Sequence, residues 1–331
     1  MGPLGEDLAC DVAAEQRRED IYGVSGASTD AADVVVLFPG ALGDGLLALP
    51  ALRALTRRHP GARTNLVVRA GLGPLMHRAA VATVCRDIED PTIGRLLGGG
   101  APPSWWPRRA RLYSFFGAGD GPTRASLAAA VAHAEFFRVV RGPIEGHAAG
   151  EYARVIGTRP SWDELVAAAA IEPPASARAD ALCEGGAPLL VVHRGAGARA
   201  KRWSRDGFSV VADWWHGRGG VVADLLGPVE EEMGERTLPG ARPVRGWPLL
   251  DVLALLGRAT TYLGHDSGPS HLAAAARCRG AVLFGPTDPQ TWRPLFPELA
   301  SVRAPQIEGV HDLGALAPEH VVDTLARGQN C

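Results

Sequence analysis

Short apolar runs alternate with longer segments of helical periodicity from residue 33 onward. Short apolar runs are typical of buried strands, and apolar residues that recur every three or four positions indicate amphipathic helices. The pattern predicts strands at Val34–Phe38, Leu66–Val68, Leu112–Phe116, Leu189–Val192, Val221–Leu226, Thr261–Leu263 and Ala281–Phe284. It predicts helices at Leu46–His59, Arg124–Phe137, Gly150–Ile156, Arg205–His216, Leu249–Arg258, Pro269–Cys278 and Pro318–Arg327. This alternation indicates parallel α/β units.

The domain organisation follows from length and from one stretch of biased composition. At 331 residues the chain exceeds a typical single domain. Residues 171–187 contain paired prolines and paired glycines before a predicted strand, as linkers do. We therefore expect two doubly wound domains, at residues 31–172 and 188–331, joined by a linker at 173–187. Residues 1–30 are acidic without an apolar stretch, which predicts a mobile extension rather than a secretory signal.

Charge and cysteine content limit the function classes. The net charge of −2 argues against a nucleic-acid partner, and it gives little support for strong binding to an anionic membrane. Five scattered cysteines without a CxxC pair suit a reducing cytoplasm, and no apolar run is long enough to span a membrane. We expect a cytoplasmic monomer, with at most peripheral contact at the inner face of the cytoplasmic membrane.

The segment from Thr260 to Gly285 has the pattern of a strand, a tight turn, a helix and a second strand. The turn carries Asp266, Ser267 and Gly268, and His271 follows one helical turn later. Such a turn directs free backbone N–H groups and the positive end of the helix dipole toward a bound anion. Phosphate is the usual ligand of this arrangement.

Lysine occurs once in the chain, at Lys201, although Lys and Arg together number 34. Lys201 follows the predicted strand Leu189–Val192. Its ammonium group can serve as a point charge for a phosphate, a role that the planar guanidinium of arginine does not imitate. A position set by chance is the alternative.

A glycine-punctuated loop, FPGALGDG, follows the first predicted strand. It matches neither the GxGxxG pattern of dinucleotide sites nor the GK[ST] of a P-loop. Asp44 in this loop has two open interpretations, as a helix N-cap and as a catalytic carboxylate at the carboxyl end of a strand. Leu249 and Leu250, at the start of a predicted helix, are expected in the core rather than in the lining of a pocket for a nucleotide base.

Metal and nicotinamide chemistry have no support in the motifs. No Asp-x-Asp triplet or HExxH motif occurs, and the ten histidines are dispersed, so we predict no metal and no cofactor. A GxGxxG followed by an acidic residue about twenty positions later is also missing, which disfavours an NAD-linked dehydrogenase.

Four segments together resemble the bacterial heptosyltransferases, glycosyltransferase family 9, over roughly residues 33–328. They are FPGALGDGLLALPALRAL, HRGAGARAKRWS, LLGPVEEE and DSGPSHLAAA with LFGPTDPQTW. The resemblance implies the GT-B architecture, in which two Rossmann-like domains face each other across a cleft. Arg194 departs from the family, which more often has proline at this position.

The resemblance also implies a function and roles for residues. It implies an inverting, metal-independent transfer of heptose from ADP-heptose to the inner core of lipopolysaccharide. Asp44 would be the general base and Lys201 would stabilise the leaving diphosphate. Donor-binding residues would be Gly195, Lys201, Glu230, Asp266, Ser267, Gly268, His271 and Thr287, with Glu231 and Glu232 as alternative registers for Glu230. Acceptor-binding residues would be Gly43, His147 and Tyr152.

Three alternatives stay open. A glycosyltransferase of the same fold could use a soluble acceptor, such as an antibiotic precursor, in place of a glycolipid. A nucleotide-sugar epimerase can share the two-domain architecture. A non-catalytic nucleotide-sugar binder would not need both Asp44 and Lys201.

Overall fold

The computed structural model describes residues 33–328, which form two compact units. Contacts group residues 33–39 and 55–138 in the first unit and residues 40–54 and 139–328 in the second, so that helix α1 (Leu42–Arg58) spans the division. Asp44 and residues 139–172 therefore belong with the second unit, whereas the predicted domains place them with the first. Those domain boundaries stay a prediction, and the predicted extension at residues 1–30 lies outside the described residues.

The first unit is built on a five-stranded parallel sheet with the strand order β3-β2-β1-β4-β5. Its strands are β1 (Val34–Leu37), β2 (Thr64–Val68), β3 (Val84–Asp87), β4 (Arg111–Ser114) and β5 (His133–Phe136). Its helices are α2 (Gly73–Arg78), α3 (Pro91–Leu97) and α4 (Gly121–Ala129). Asp90 and Asp120 cap α3 and α4 by accepting backbone N–H bonds of 2.7 and 3.1 Å.

The second unit is built on a six-stranded parallel sheet with the order β11-β10-β9-β6-β7-β8. Its strands are β6 (Leu189–His193), β7 (Val221–Leu226), β8 (Arg242–Arg245), β9 (Thr261–His265), β10 (Gly280–Phe284) and β11 (Leu299–Arg303), with a small antiparallel pair, β12 (Gln306–Ile307) and β13 (Val310–His311). Its further helices are α5 (Ala148–Val155), α6 (Trp162–Ala169), α7 (Ala177–Leu182), α8 (Arg205–His216), α9 (Pro228–Glu232), α10 (Leu249–Arg258), α11 (Gly268–Ala275), α12 (Pro289–Trp292) and α13 (Pro318–Gly328). The predicted class of doubly wound α/β sheets is confirmed.

Apolar side chains of the central strands and of the covering helices form the core of the second unit. Leu190, Val192, Leu263 and Leu283 from the strands pack with Trp215 and other side chains of the helices. The indole N–H of Trp215 donates to the Pro188 carbonyl at 3.1 Å, so this large ring is buried without leaving its donor unpaired.

Gly280 begins β10 with φ of +144° against the backbone of Tyr262. A Cβ atom there would overlap that backbone, so only glycine allows this close approach of β10 to β9.

The strand order places two loops of the second unit side by side. β6 is the first strand of this unit, and it pairs with β7 on one side and with β9 on the other. The chain order therefore reverses between β6 and β9, and ligands of open α/β sheets bind at such a switch point, outside the carboxyl ends of the strands. The loops after β6 and β9 carry Lys201 and Asp266.

Several predicted elements differ from the structure, and the four strands of the two parallel sheets that were not predicted share a cause. β3, β5, β8 and β11 are all edge strands, so they are less buried than the central strands and lack a continuous apolar run. The predicted helix at residues 124–137 is confirmed only as far as Ala129, where α4 ends, and its second half is wrong because edge strand β5 follows. The segment predicted as a linker contains α7, and the Ser176 hydroxyl before it donates to Asp251 of α10 at 2.7 Å.

Within residues 33–328, no helix is both long enough and apolar enough to cross a membrane.

Candidate active site

Lys201 and Asp266 form an ion pair at the switch point of the second sheet. The Lys201 ammonium donates to a carboxylate oxygen of Asp266 at 2.7 Å, although the two residues are 65 positions apart. Lys201 ends a 3-10 helix at Arg199–Lys201 in the loop after β6, and Asp266 directly follows β9. The Asp266 side chain is 9% exposed and that of Lys201 is 28% exposed, so the pair is largely shielded from water. Such shielding strengthens a charge-assisted hydrogen bond.

The amino terminus of α11 lies beside this pair. Ser267 is the N-cap residue, but its side chain makes no capping bond, and its hydroxyl instead lies 3.3 Å from Nδ1 of His193. A Cβ atom on Gly268 would lie 3.0 Å from the Leu42 side chain, so glycine allows the backbones of α11 and α1 to approach each other. The side-chain oxygen of Ser267 thus leaves the backbone donors at this helix end to other partners.

A cavity of about 310 Å³ lies in front of the ion pair, and we call it the polar cavity. Asp44, in the first turn of α1, lines it together with Lys201, Asp266 and Arg141. Burial raises the pKa of Asp44, and the Ala41 N–H bond and the Arg141 charge oppose this shift. The Asp44 carboxylate is therefore a stronger base than that of an exposed aspartate.

His271 forms one wall of the polar cavity as a neutral group. Burial lowers its pKa to about 4, with the charge of Asp266 opposing the shift and those of His147 and Lys201 adding to it. A Cβ atom on Gly43 would lie 3.2 Å from the His271 ring, so the glycine leaves room for the imidazole. Near neutral pH this histidine can offer hydrogen bonds but no charge.

A second cavity of about 420 Å³, the apolar cavity, lies on the other side of the α11 terminus. Trp247, Leu249 and Val252 supply apolar walls, and Glu230 and Glu231 supply carboxylates. Leu249 and Leu250 were expected in the core, but both are only half-buried in the first turn of α10, and Leu249 lines the cavity.

Glu230 is the more enclosed of the two carboxylates. It is buried, accepts the Gly227 N–H at 3.1 Å and packs against Gly195, where a Cβ atom would overlap the carboxyl group. Glu231 accepts the Gly246 N–H at 3.1 Å. Glu230 and Glu231 line the cavity and Glu232 does not, so the first two are the candidates for the predicted contact with a ribose.

The two cavities share Ser267 and Gly268, so the start of α11 lies between them. Both cavities are lined by residues of the second unit. An elongated ligand could place an apolar ring beside Trp247, an anionic centre at the helix terminus and a polar group beside Asp44.

Four predicted site residues do not line either cavity, and one of them, Gly195, packs against the Glu230 carboxyl group. Both ring nitrogens of His147 are engaged: Nδ1 accepts the Ala149 N–H at 3.2 Å and Nε2 donates to the Arg293 carbonyl at 2.8 Å. Tyr152 is fully buried, and burial together with the charge of Asp44 raises the pKa of its hydroxyl. Thr287 has a buried hydroxyl without a hydrogen-bond partner in the described part of the chain. Their roles stay predictions.

Sequence reasoning missed other residues that line these cavities. Arg141 and Trp292 line the polar cavity, and His193 and Trp247 line the apolar cavity. Arg141 forms no ion pair among residues 33–328, so its charge is available to the cavity. In a chain with so many arginines nothing in the sequence distinguishes Arg141, whereas Trp247, just before a predicted helix, could have been noticed.

Arg194, which departs from the family pattern, ties the loop after β6 to the chain beyond α9. Its guanidinium bonds both oxygens of the fully buried Asp224, at 3.2 and 3.1 Å. It also donates to Glu235 at 3.1 Å and to the Arg236 carbonyl at 2.8 Å. A proline could make none of these bonds, so in this chain the Arg194 side chain anchors the loop after β6.

Among residues 33–328 no group of three or more His, Cys, Asp or Glu side chains is arranged to hold a metal ion. The prediction of metal-independent chemistry remains untested.

Residues 160–321 match the family model of glycosyltransferase family 9 (heptosyltransferase), which confirms the resemblance carried by the motifs. Lipopolysaccharide heptosyltransferase 3 of Escherichia coli is 33% identical over 102 residues, which cover 28% of this chain and 30% of that protein. This chain thus spans about a third of the length of the curated relatives it matches.

Two solved structures have a similar fold. E. coli ADP-heptose lipopolysaccharide heptosyltransferase II has a TM-score of 0.69 at 20% identity, over 90% of this chain and 98% of that chain. TibC of enterotoxigenic E. coli, described as an iron-containing dodecameric glycosyltransferase, has a TM-score of 0.54 at 15% identity, over 91% of this chain and 75% of that chain. These similarities confirm an α/β fold with parallel sheets like that of the GT-B heptosyltransferases. The expected monomer stays a prediction.

Proposed function

We propose that the chain is an inverting glycosyltransferase that moves heptose from ADP-heptose to a hydroxyl group of the lipopolysaccharide inner core without a metal ion. The matched family is described as heptosyltransferase, and two similar E. coli proteins are named as lipopolysaccharide heptosyltransferases. A structure of TibC is described as a complex with ADP-D-beta-D-heptose, which supports this donor. A cytoplasmic location is part of the proposal.

One observation carries the proposal: an apolar and a polar cavity meet at the amino terminus of α11. The adenine base of the donor would lie against Trp247 and Leu249, and a ribose hydroxyl would bind Glu230. The diphosphate would lie at the helix terminus, where backbone donors and the helix dipole favour an anion. The sugar would then reach into the polar cavity. Both volumes are in the range usual for small-molecule sites, about 300–1,000 Å³.

Asp44 would act as the general base. It takes the proton of the acceptor hydroxyl while the hydroxyl oxygen attacks the anomeric carbon from the face opposite the diphosphate. The bond between that carbon and the diphosphate oxygen breaks, and the oxygen keeps the electron pair. Configuration at the anomeric carbon inverts because the new bond forms on the opposite face.

Lys201 would receive the negative charge that develops on the departing diphosphate. Its bond to Asp266 holds the ammonium in place before the reaction, and preorganised charge of this kind is an effective catalytic contribution. Asp266 would bind sugar hydroxyls with its second oxygen. Gly43 lies at the wall where the acceptor would enter, while His147 and Tyr152 would support that wall from behind.

The direct test combines ADP-heptose, a lipopolysaccharide inner-core acceptor and the chelator-treated protein, with the product mass measured by mass spectrometry and its anomeric configuration by NMR. We expect a product heavier by one heptose with inverted anomeric configuration, and no transfer from UDP- or GDP-sugars. Exclusive use of UDP-sugars would contradict the heptose donor. An altered sugar nucleotide formed without acceptor would instead indicate an epimerase.

A further inference from the structure

His193 lies between the two ends of the proposed donor site. It ends β6, and its buried ring borders the apolar cavity. Nδ1 lies 3.3 Å from the Ser267 hydroxyl at the α11 terminus, and Nε2 lies 3.9 Å from a carboxylate oxygen of Glu230. One imidazole thus faces the predicted phosphate contact with one nitrogen and the predicted ribose contact with the other.

The ring carries a single proton that either nitrogen can hold. Burial lowers the pKa of His193 to about 3, with the charges of His265 and Arg194 adding to the shift, so the imidazole is neutral near pH 7. The hydroxyl of Ser267 can donate or accept, because it makes no capping bond. Ser267 therefore does not fix the tautomer.

The neighbouring His265 shows the opposite arrangement. Its Nε2 accepts the Trp203 N–H at 2.7 Å, which leaves the proton on Nδ1, 3.3 Å from the Gly195 carbonyl. Because a backbone donor and a backbone acceptor are fixed, the tautomer of His265 is fixed too. His193 differs in having two side-chain neighbours that a ligand can engage.

We propose that His193 couples ribose binding at Glu230 to phosphate binding at Ser267 by shifting its single ring proton from Nε2 to Nδ1. This inference rests on the proposed nucleotide-sugar donor. It makes His193 a positioning residue that acts through Ser267 and Glu230.

The charges at Glu230 and at the α11 terminus favour movement of the proton from Nε2 to Nδ1 when a ligand binds. In the empty site the Glu230 carboxylate attracts the proton to Nε2, and the Ser267 hydroxyl then donates to Nδ1 and has no hydrogen for a phosphate. A ribose hydroxyl that donates to Glu230 weakens that attraction. An anion at the α11 terminus favours a Ser267 O–H turned toward it, which requires Nδ1–H to donate to the serine oxygen. The ring stays neutral: one N–H bond breaks, the other forms, and solvent carries the proton.

The test is a double-mutant cycle in ADP binding, measured by calorimetry on Ser267→Ala, Glu230→Gln and the double variant. Directly coupled residues deviate from additivity, so we expect the loss of ADP affinity in the double variant to differ from the product of the two single losses by about threefold or more. Ser267→Ala with Glu231→Gln is the matched control, because Glu231 lines the same cavity but bonds Gly246 instead of facing His193. This pair should be additive within about twofold.

Two further measurements address His193 itself. His193→Asn keeps a polar group near Ser267 but does not reach Glu230, so the cycle should become additive in that background. The ¹⁵N shifts of His193 in the unaltered protein should move from the Nε2–H to the Nδ1–H pattern when ADP is added, which tests the inference even if the variant does not fold.

The outcomes separate the inference from the proposed function. Failure of the unaltered protein to bind ADP would contradict the donor site and the coupling together. ADP binding with an additive Ser267–Glu230 cycle, with coupling that persists in His193→Asn, or with unchanged ¹⁵N shifts would overturn the coupling alone.

Discussion

Replacing Lys201 by methionine removes an ammonium group while keeping most of the side-chain volume. In the structure this group donates to Asp266 at 2.7 Å and lines the polar cavity. Removing one preorganised donor to a developing negative charge typically costs about 3–4 kcal/mol, so we expect kcat to fall by about 10²–10³-fold.

The substitution should also reduce stability. Asp266 would keep a largely shielded carboxylate without its partner, since its side chain is only 9% exposed. The cost should lie between that of an exposed pair, about 1 kcal/mol, and that of a fully buried one, about 3–5 kcal/mol, because Lys201 is 28% exposed. Lys201→Arg is the matched control: it keeps the charge but not the compact geometry, so it should lose less activity than Lys201→Met.

The assay is steady-state transfer from ADP-heptose, with calorimetric ADP binding and urea denaturation on each variant. If Lys201 acts on the leaving group, kcat falls far more than ADP affinity, and Lys201→Arg lies between the unaltered protein and Lys201→Met. A Lys201→Met variant that is folded and turns over within about threefold of the unaltered rate would refute this reasoning.

Three further predictions concern the contact with the nucleotide base, the loop after β6 and metal dependence. Trp247→Ala should weaken ADP binding by about tenfold or more, as loss of a stacked base does, without changing the affinity for pyrophosphate; equal losses for both ligands would remove Trp247 from the base contact. Arg194→Met leaves the fully buried Asp224 without its partner, so urea denaturation should show a loss of about 3–5 kcal/mol, and a loss below 1 kcal/mol would contradict the structural role given to this network. Dialysis against a chelator should leave turnover unchanged, and activity restored by an added divalent ion would show that the metal-independent mechanism is wrong.

The central strands could be predicted from the sequence because they are buried on both faces. β1, β6, β7, β9 and β10 each form a nearly continuous apolar run. Edge strands lack this signal. The sequences of β5 (His-Ala-Glu-Phe) and β8 (Arg-Pro-Val-Arg) contain polar residues that a partly solvated edge tolerates, so neither has the apolar run by which a strand is predicted.

The site could be predicted only in part, because motifs show residues next to each other in sequence and not across the sheet. Lys201 and Asp266 each stood out, but their ion pair depends on the pairing of β6 with β9, which no local pattern specifies. Arg141 reaches the polar cavity from a segment without a motif. In the sequence, His193 is only the residue that follows an apolar run. Its proposed coupling role depends on Glu230, which is 37 positions later in the chain but lies beside it in the structure.

The assignment of Asp44 as the base that activates the acceptor is tested most directly by Asp44→Asn. Asparagine keeps an oxygen for the Ala41 N–H, and the change should not lower stability: burial raises the pKa of Asp44, so above that pKa the ionised carboxylate opposes folding. For the same reason, kcat/KM of the unaltered enzyme should fall as the pH drops through the raised pKa of Asp44.

The decisive measurement is heptose transfer by Asp44→Asn alongside its affinity for ADP. If Asp44 is the general base, the rate falls by about 10²–10⁴-fold, and ADP affinity stays within about twofold of that of the unaltered protein. Transfer at an undiminished rate by this variant would contradict the account.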